Sequence, residues 1–228
     1  MEAFAEAVHQ GADWVELDVR LTMSGDLIVH HDPWYRDERT GGRGGLVWDT
    51  PPSQRPTPVP TLSEALDACR GDGSRAVGVN VEIKNIAGDL GADHVPHGPA
   101  VADAVVDLLA RRRAAGIGGE ILVSSFDAGT IDRVRALDGP PTAQLLVSLA
   151  AWPDAVASTA RRGHAALHPA DWDVDAGLVS RCHGAGLAVN VWTVNDPTRI
   201  VALAALGVDG IVTDTPAAAL RALAGAVG

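Results

Sequence analysis

The chain has 228 residues, of which 46% are hydrophobic, and this is enough for one large domain with a substantial core. Its formal net charge of -11 argues against nucleic-acid binding, which needs a basic surface. A continuous apolar run of membrane-spanning length is absent from the sequence, so we expect no stable membrane insertion. We therefore expect a single domain over residues 1–228, with Cys69 and Cys182 as reduced structural cysteines and a disulfide between them as the less favoured alternative.

The first third of the chain contains two predicted helices and two strands. Residues 1–10 are typical of a helix that Gly11 ends, and a strand over 14–21, a turn at 24–26 and a short strand over 27–30 follow. Residues 33–59 are rich in glycine, proline and charge, which predicts a long loop. Thr61 and Glu64 have the spacing of a capping box, which predicts a helix running to about residue 70.

The rest of the chain repeats a strand followed by a helix. Further strands are predicted near residues 76–83, 120–123, 143–148, 165–167, 188–194 and 210–212. Further helices are predicted at about residues 99–114, 128–137, 153–161, 175–185, 197–206 and 216–224. Repeated units of this kind predict a parallel sheet that is covered by helices.

The number of these units predicts the fold class. Counting from Trp14, seven main strands each lead to a helix, and one helix precedes them all. This predicts an α/β fold, a (β/α)8 TIM-type barrel that lacks its first strand, since a complete barrel has about 250 residues. An open doubly wound sheet is the alternative, and it is weakened because no glycine-rich phosphate fingerprint follows a strand.

Carboxylates lie on one face of two predicted strands. Glu16 and Asp18 alternate with apolar residues and so share a face, as do Glu82 and Lys84. An inward-facing carboxylate is costly unless it is paired or holds a cation, and three of them fit an oxygen-ligand site for a hard divalent ion. Lys84 is the only lysine in the chain, which argues against a solubilising surface role. The alternative is that both strands lie at an edge and these charges face water.

Polar side chains follow the other predicted strands as well. They are Glu16 and Asp18, His31 and Asp32, Glu82 and Lys84, Ser124 and Ser125, His168, Trp192 and Thr193, and Thr213 and Asp214. Because barrels carry their chemistry at the carboxyl ends of the strands, we expect these residues to converge on one face.

Some of the polar candidates have two interpretations. His168 fits a substrate contact and a structural role equally well, and Asp214 fits a helix cap as well as a ligand contact. Asp93, His94 and His97 have metal-like spacing in a glycine- and proline-rich loop, where solvated side chains are the commoner outcome.

Seven motifs follow one another between about Ala3 and Pro216: G-A-D-W-V-E-L-D-V, S-G-D-L-I-V-H-H-D-P, V-P-T-L-S-E-A-L, N-V-E-I-K, V-S-S-F, N-V-W-T-V-N and G-V-D-G-I-V-T-D-T-P. In this order the chain resembles the glycerophosphodiester phosphodiesterases. The resemblance implies a (β/α)8 barrel and a role in lipid and glycerol metabolism. It also implies that a small-molecule glycerophosphodiester, such as glycerophosphocholine, is hydrolysed to glycerol 3-phosphate and an alcohol.

The resemblance also implies roles for individual residues. Glu16, Asp18 and Glu82 match the ligands of a divalent metal ion, Ca²⁺ or Mg²⁺. His31 matches the general acid/base histidine. Lys84 matches a lysine near the phosphate, Trp192 matches an aromatic residue near the glycerol, and we add His168 as a candidate substrate contact.

One family segment has no counterpart in this chain. The family opens with a strand carrying H-R-G, followed by P-E-N-T, and this segment supplies a second catalytic histidine and a phosphate-binding arginine. We therefore expect impaired hydrolysis. The alternatives are an inactive barrel that binds metal and phosphate, or a barrel phospholipase of a neighbouring class. We expect a cytoplasmic location, with export left open because any signal would precede Met1, and the sequence leaves the oligomeric state open.

Overall fold

The computed structural model of the protein describes residues 1–37, 40–56, 59–70, 77–85 and 99–226. The helices in these ranges are α1 (Glu2–His9), α2 (Leu62–Cys69), α3 (Ala100–Ala114), α4 (Ala128–Ala136), α5 (Ala155–Arg161), α6 (Ala176–Gly184), α7 (Pro197–Ala205) and α8 (Pro216–Ala226). The strands are β1 (Trp14–Leu21), β2 (Leu27–Val29), β3 (Trp34–Arg36), β4 (Arg43–Leu46), β5 (Gly78–Ile83), β6 (Ile121–Ser125), β7 (Thr142–Leu146), β8 (Ala166–Pro169), β9 (Ala188–Val191) and β10 (Gly210–Ile211). In the described part of the chain, every helix is too short or too polar to cross a bilayer.

Seven of these strands form one parallel row. The order is β10-β9-β8-β7-β6-β5-β1, and β2 joins the end of the row by antiparallel pairing with β1. The parallel strands are thus arranged in their order along the chain. Each parallel pair is joined by a crossover connection that contains a helix. The predicted repeat of β/α units is therefore confirmed, with seven of the eight units of a TIM-type barrel in the described residues.

The helix layer is continuous where the row of strands ends. Among the described residues, β1 and β10 are the two ends of the parallel row and do not pair with each other. The helices α1 and α8 nevertheless meet there, because the Ala217 N–H donates to Gln10 Oε1 over 3.1 Å. On the other side α1 contacts α2, so the outer layer runs on from the last helix to the first.

The predicted start of α2 is confirmed. Thr61 Oγ1 accepts a hydrogen bond from the Glu64 N–H over 3.2 Å, and the Thr61 N–H donates to the Glu64 carboxylate over 2.8 Å. This capping box satisfies two backbone donors that would otherwise lack an intrahelical partner.

Apolar side chains of the strands face outward, toward the helices. One cluster joins β1 and β5 to α2 and α3, and a second joins β8 and β9 to α6 and α7. Cys69 and Cys182 are buried in these clusters as free cysteines, as predicted. Because Val15, Leu17 and Val19 belong to the first cluster, strand alternation turns the intervening residues of β1 toward the interior of the barrel.

The predicted loop over residues 33–59 was wrong in part, since β3 and β4 form a hairpin within it. Tyr35 and Val47 pack with Ile28 in a small buried cluster, and the Arg43 guanidinium lies 3.5 Å from the centre of the Trp34 ring. The glycine content indicated a loop, whereas Gly41 in fact supplies the positive φ of 70° that the hairpin turn requires. Several other predicted elements begin or end elsewhere; for example, β5 begins at Gly78, with residue 76 outside the described ranges, and β9 ends at Val191.

We predict that Gly78→Ala destabilises the fold by about 1–3 kcal/mol through overpacking. A Cβ atom at residue 78 would lie 2.4 Å from the Trp14 indole, its partner across β1 and β5. Urea denaturation measures the effect, and in a Trp14→Ala background the same substitution is expected to cost much less. Gly118→Ala is the control, since open space surrounds that position. Equal costs of Gly78→Ala in both backgrounds would contradict the close contact.

Candidate active site

Three carboxylates from two neighbouring strands meet at the carboxyl end of the sheet. Asp18 of β1 lies opposite Glu82 of β5 in the parallel register. Glu16 is the inward-facing residue of β1 that precedes Asp18. Each of the three offers an oxygen, and these oxygens all lie within 4.8 Å of one another. The sequence prediction that the three residues share one face and converge is thus reproduced by the structure.

Lys84 lies against two of these carboxylates. Its Nζ is 2.5 Å from Glu82 Oε1 and 2.9 Å from Asp18 Oδ1. The lysine side chain is only 8% exposed, which places the ammonium group inside the mouth of the barrel. The single lysine of the chain is therefore part of the carboxylate cluster.

The charges of this cluster perturb one another. Burial raises the pKa of Glu16 well above its usual value, and the Asp18 and Glu82 charges raise it further. Burial also raises the pKa of Glu82, against the opposing effect of Lys84. Burial alone would lower the pKa of Lys84, but the Glu82 and Asp18 carboxylates more than offset it, so its pKa is raised. Lys84 is therefore a charged ammonium group at neutral pH, and the carboxylates still outnumber it.

The cluster fits a hard divalent cation on two grounds. Three carboxyl groups share a largely enclosed space with one ammonium group, and burial together with neighbouring carboxylates raises the pKa values of Glu16 and Glu82, an effect that a bound cation would offset. Within the described ranges, Glu16 Oε1, Asn80 Oδ1 and Ser124 Oγ are buried without a hydrogen-bond partner. Asn80 is the register neighbour of Glu16, and Ser124 is the register neighbour of Glu82. A carboxyl cluster lined by further oxygen donors is the environment that such ions prefer.

His31 lies at the rim of this cluster. It follows β2, and its side chain is 72% exposed, with Nδ1 lying 2.8 Å from Asp32 Oδ1. A positive charge on His31 lowers the pKa of Glu82, although burial of Glu82 is the larger effect and raises it. The imidazole therefore lies within electrostatic reach of the carboxylates, and its contact with Asp32 favours the tautomer that carries the proton on Nδ1.

A row of aromatic side chains leads away from Lys84. The Lys84 Nζ is 6.0 Å from the centre of the Phe126 ring, and Phe126 meets Trp192 edge to face at 5.5 Å. Trp172 continues the row at 6.5 Å from Trp192, with 70% of its surface exposed. The row gives the site an apolar wall beside the charged cluster.

His168 is buried behind this wall. Its Nε2 lies 2.8 Å from the Asn190 amide nitrogen, and its carbonyl accepts a hydrogen bond from Trp192 Nε1 over 2.8 Å. Burial lowers the pKa of His168 to about 4. The structure thus places His168 where it orients Trp192 through its backbone, and its predicted contact with substrate stays a prediction.

Sequence reasoning did not single out several residues of the site. Phe126 follows the Ser124–Ser125 pair directly, so its position after a strand was an available signal. Arg20 continues the inward face of Glu16 and Asp18 by the same alternation. Asn190 shares a face with Trp192, and Asn80 shares the face of Glu82 and Lys84 by the same alternation, but these spacings do not indicate which residues the two asparagines meet across the sheet. The candidate metal-binding group of Asp93, His94 and His97 lies outside the described residues. Asp214, the other ambiguous candidate, accepts a hydrogen bond from the Asn195 side chain.

Comparison with known proteins identifies one family. The sequence model of the glycerophosphoryl diester phosphodiesterase family matches residues 1–218. A relative from Bacillus altitudinis, a glycerophosphodiester phosphodiesterase, is 29% identical over 238 aligned positions, which cover 97% of this chain and 90% of the relative.

Solved structures share the architecture. A protein from Silicibacter pomeroyi, assigned as a glycerophosphoryl diester phosphodiesterase, matches with a TM-score of 0.80 and 26% identity over 99% of this chain and 88% of that chain. An Oleispira antarctica phosphodiesterase in complex with sn-glycerol-3-phosphate matches with a TM-score of 0.77 and 24% identity over 97% of this chain and 89% of that chain. The second match concerns the fold alone, and together with the strand order these matches confirm the predicted TIM-type barrel.

We predict that His168 makes the fold acid-sensitive. Its pKa of about 4 in the folded chain lies below the ordinary value of 6.5, so the unfolded chain binds the proton first as the pH falls. The stabilising contribution is therefore complete above about pH 6.5 and is lost toward pH 4, by roughly 2–3 kcal/mol at about pH 4.5. Urea denaturation at about pH 7 and pH 4.5 measures it, and His168→Gln should lose less stability between these pH values. The exposed His9 provides the control, His9→Gln, which should keep the wild-type difference.

Proposed function

We propose, since the chain belongs to the glycerophosphoryl diester phosphodiesterase family, that it is a metal-dependent phosphoric diester hydrolase. It cleaves small-molecule glycerophosphodiesters to glycerol 3-phosphate and an alcohol. The observation that carries the proposal is the convergence of Glu16, Asp18 and Glu82, together with the ammonium group of Lys84 held by Asp18 and Glu82. A cytoplasmic location and a single domain over residues 1–228 stay predictions.

The three carboxylates hold the cofactor in this proposal. Glu16, Asp18 and Glu82 supply oxygen ligands from two rigid strands, and Ca²⁺ and Mg²⁺ both accept such ligands. The bound ion would draw charge from the phosphate oxygens and favour ionisation of the attacking glycerol hydroxyl or water. Asn80 and Ser124, whose buried oxygens have no partner in the described residues, line the enclosed side of this cluster.

Lys84 binds the phosphate. Its ammonium group stays charged because the Glu82 and Asp18 carboxylates raise its pKa despite burial, which alone would lower it. In an enclosed site a fixed positive charge stabilises the additional negative charge that develops on the phosphate oxygens during cleavage. Two carboxylates hold the Nζ in place, so this stabilisation requires little rearrangement.

His31 transfers a proton to the leaving alcohol. Its exposed position at the rim places the ring between the cluster and solvent, where an alcohol can depart. Asp32 holds Nδ1, which turns the other nitrogen, Nε2, to the proton transfer. An imidazole can give or take a proton near neutral pH, as this step requires.

Trp192 contacts the glycerol part of the substrate. Its ring forms the apolar wall with Phe126, and carbon-bound hydrogens of glycerol pack favourably on such a surface. The hydrogen bond from Nε1 to the His168 carbonyl fixes the ring, so His168 supports binding through Trp192.

The first test measures metal-dependent turnover of glycerophosphocholine. We expect release of glycerol 3-phosphate, followed by phosphorus NMR, to stop with a chelator and to return with Ca²⁺ or Mg²⁺. Glu82→Gln removes one ligand charge and should lower kcat/KM by about 100-fold or more. Glu120→Gln alters an exposed glutamate that directly precedes β6 and should keep the wild-type value.

A metal titration followed by thermal unfolding separates binding from turnover. The added ion should raise the melting temperature of the wild type and of Glu120→Gln, and much less that of Glu82→Gln. A melting shift without product would favour the inactive metal- and phosphate-binding barrel. The expected impairment of this chain stays a prediction, and the absolute turnover rate measures it.

The second test concerns Trp192. Trp192→Ala should raise KM for glycerophosphocholine about tenfold and change kcat less, because it removes an apolar contact that is present before and during the reaction. Trp192→Phe keeps the aromatic surface but lacks the donor to the His168 carbonyl, and an intermediate KM is expected. An unchanged KM in both variants would place the glycerol elsewhere.

A further inference from the structure

Arg20 is a buried cation beside the candidate active site. Its residue is 7% exposed, and it lies two positions after Asp18 on β1, so strand alternation turns it to the same inward face. Val19 and Leu21, the flanking residues, belong to the outward apolar cluster. Burying an arginine costs folding free energy unless its N–H groups donate hydrogen bonds. The hydrogen bonds of Arg20 therefore bear on its role in the site.

The guanidinium group of Arg20 binds the backbone of His31. Nε lies 3.0 Å and Nη2 lies 2.6 Å from the His31 carbonyl oxygen, so two donors of the planar fork meet one acceptor. Hydrogen bonds from a charged donor are about twice as strong as neutral ones. The contact spans eleven residues and joins β1 to the segment that follows β2.

His31 needs such an anchor because its side chain is largely exposed. With 72% of the side chain open to solvent, packing contacts restrict the imidazole little. Its position is set by its backbone and by the contact of Nδ1 with Asp32. One residue earlier, the His30 N–H donates to the Asp18 carbonyl over 3.0 Å, so β1 holds the same segment at two successive residues.

We propose that Arg20 is a positioning residue that fixes the His31 backbone, and hence its imidazole, beside the carboxylate cluster. This inference rests on the proposed function of His31 as the proton donor. In this proposal Arg20 acts through His31. Because β1 carries Asp18 and Arg20 on one face, the same strand places a predicted metal ligand and the anchor of the proton donor.

The test compares two arginines whose guanidinium groups bind the β1–β2 hairpin or the segment that follows it. Arg20→Met keeps the length of the side chain and removes the guanidinium group, and Arg20→Lys keeps the charge. The control is Arg55→Met, since Arg55 Nη2 binds Ser24 and Asp26, each over 2.8 Å, at the turn of the hairpin, away from His31. Both methionine variants lose a partly buried guanidinium contact, so both report general loss of hairpin stability.

We expect Arg20→Met to lower kcat for glycerophosphocholine by about 10- to 100-fold with KM within about twofold, because the proton donor is misplaced and binding is kept. Arg20→Lys should retain more activity, and added guanidinium at low millimolar concentration should partly restore Arg20→Met. Arg55→Met should keep kcat near the wild-type value even if its melting temperature falls.

Hydrogen exchange gives a readout that needs no turnover. Backbone amides of residues 29–32 should exchange faster in Arg20→Met than in the wild type and should be unchanged in Arg55→Met. Unchanged exchange in Arg20→Met would overturn the inference, as would a kcat equal to that of Arg55→Met or an effect confined to KM. If the wild type releases no glycerol 3-phosphate, the proposed function fails, and exchange alone then decides whether Arg20 anchors His31.

Discussion

The concentration of negative charge inside the barrel is the constraint on which this structure depends. One carboxylate oxygen from each of Glu16, Asp18 and Glu82 lies within 4.8 Å of the others on inward faces of β1 and β5, and the Lys84 ammonium group contacts Asp18 and Glu82. Such a cluster is costly to bury, so the strands that carry it must be held from outside. The outward residues of the same strands supply this support, because Val15, Leu17 and Val81 pack under α2 and α3. One alternating pattern therefore builds both the core and the site.

The other parts of the site are placed by longer connections. The proton donor proposed here, His31, is exposed and is fixed through backbone contacts with β1 rather than through packing. The aromatic wall has the opposite arrangement, because Trp192 is held by a hydrogen bond to a fully buried strand residue, His168. The solvent-exposed His31 thus lies at the open rim of the site, and the fixed ring of Trp192 forms its wall. This arrangement suits a reaction in which an alcohol leaves toward solvent while the phosphate group stays bound in the site.

The sequence predicted those features that depend on local periodicity. The order of strands and helices, the capping box at Thr61 and the shared face of Glu16 and Asp18 all follow from spacings within one element. The hairpin of β3 and β4 was missed because its glycine-rich turn resembles a loop in composition. Contacts across the sheet, such as Arg20 with the His31 carbonyl, were also missed. They depend on register and on side-chain reach, which a single segment does not encode.

The meeting of α1 and α8 has a consequence for how the chain reaches this state. Gln10 and Ala217 are separated by 207 positions, so their hydrogen bond can form only after most of the chain has condensed. No residue of α1 is fully buried, and the helix attaches through the partly buried Phe4, Ala7 and Val8. The contact between α1 and α8 is thus a late event in folding, and detachment of α1 would expose few buried apolar side chains. Detachment of α1 would expose to solvent the outward side of β1, the strand that carries Glu16 and Asp18.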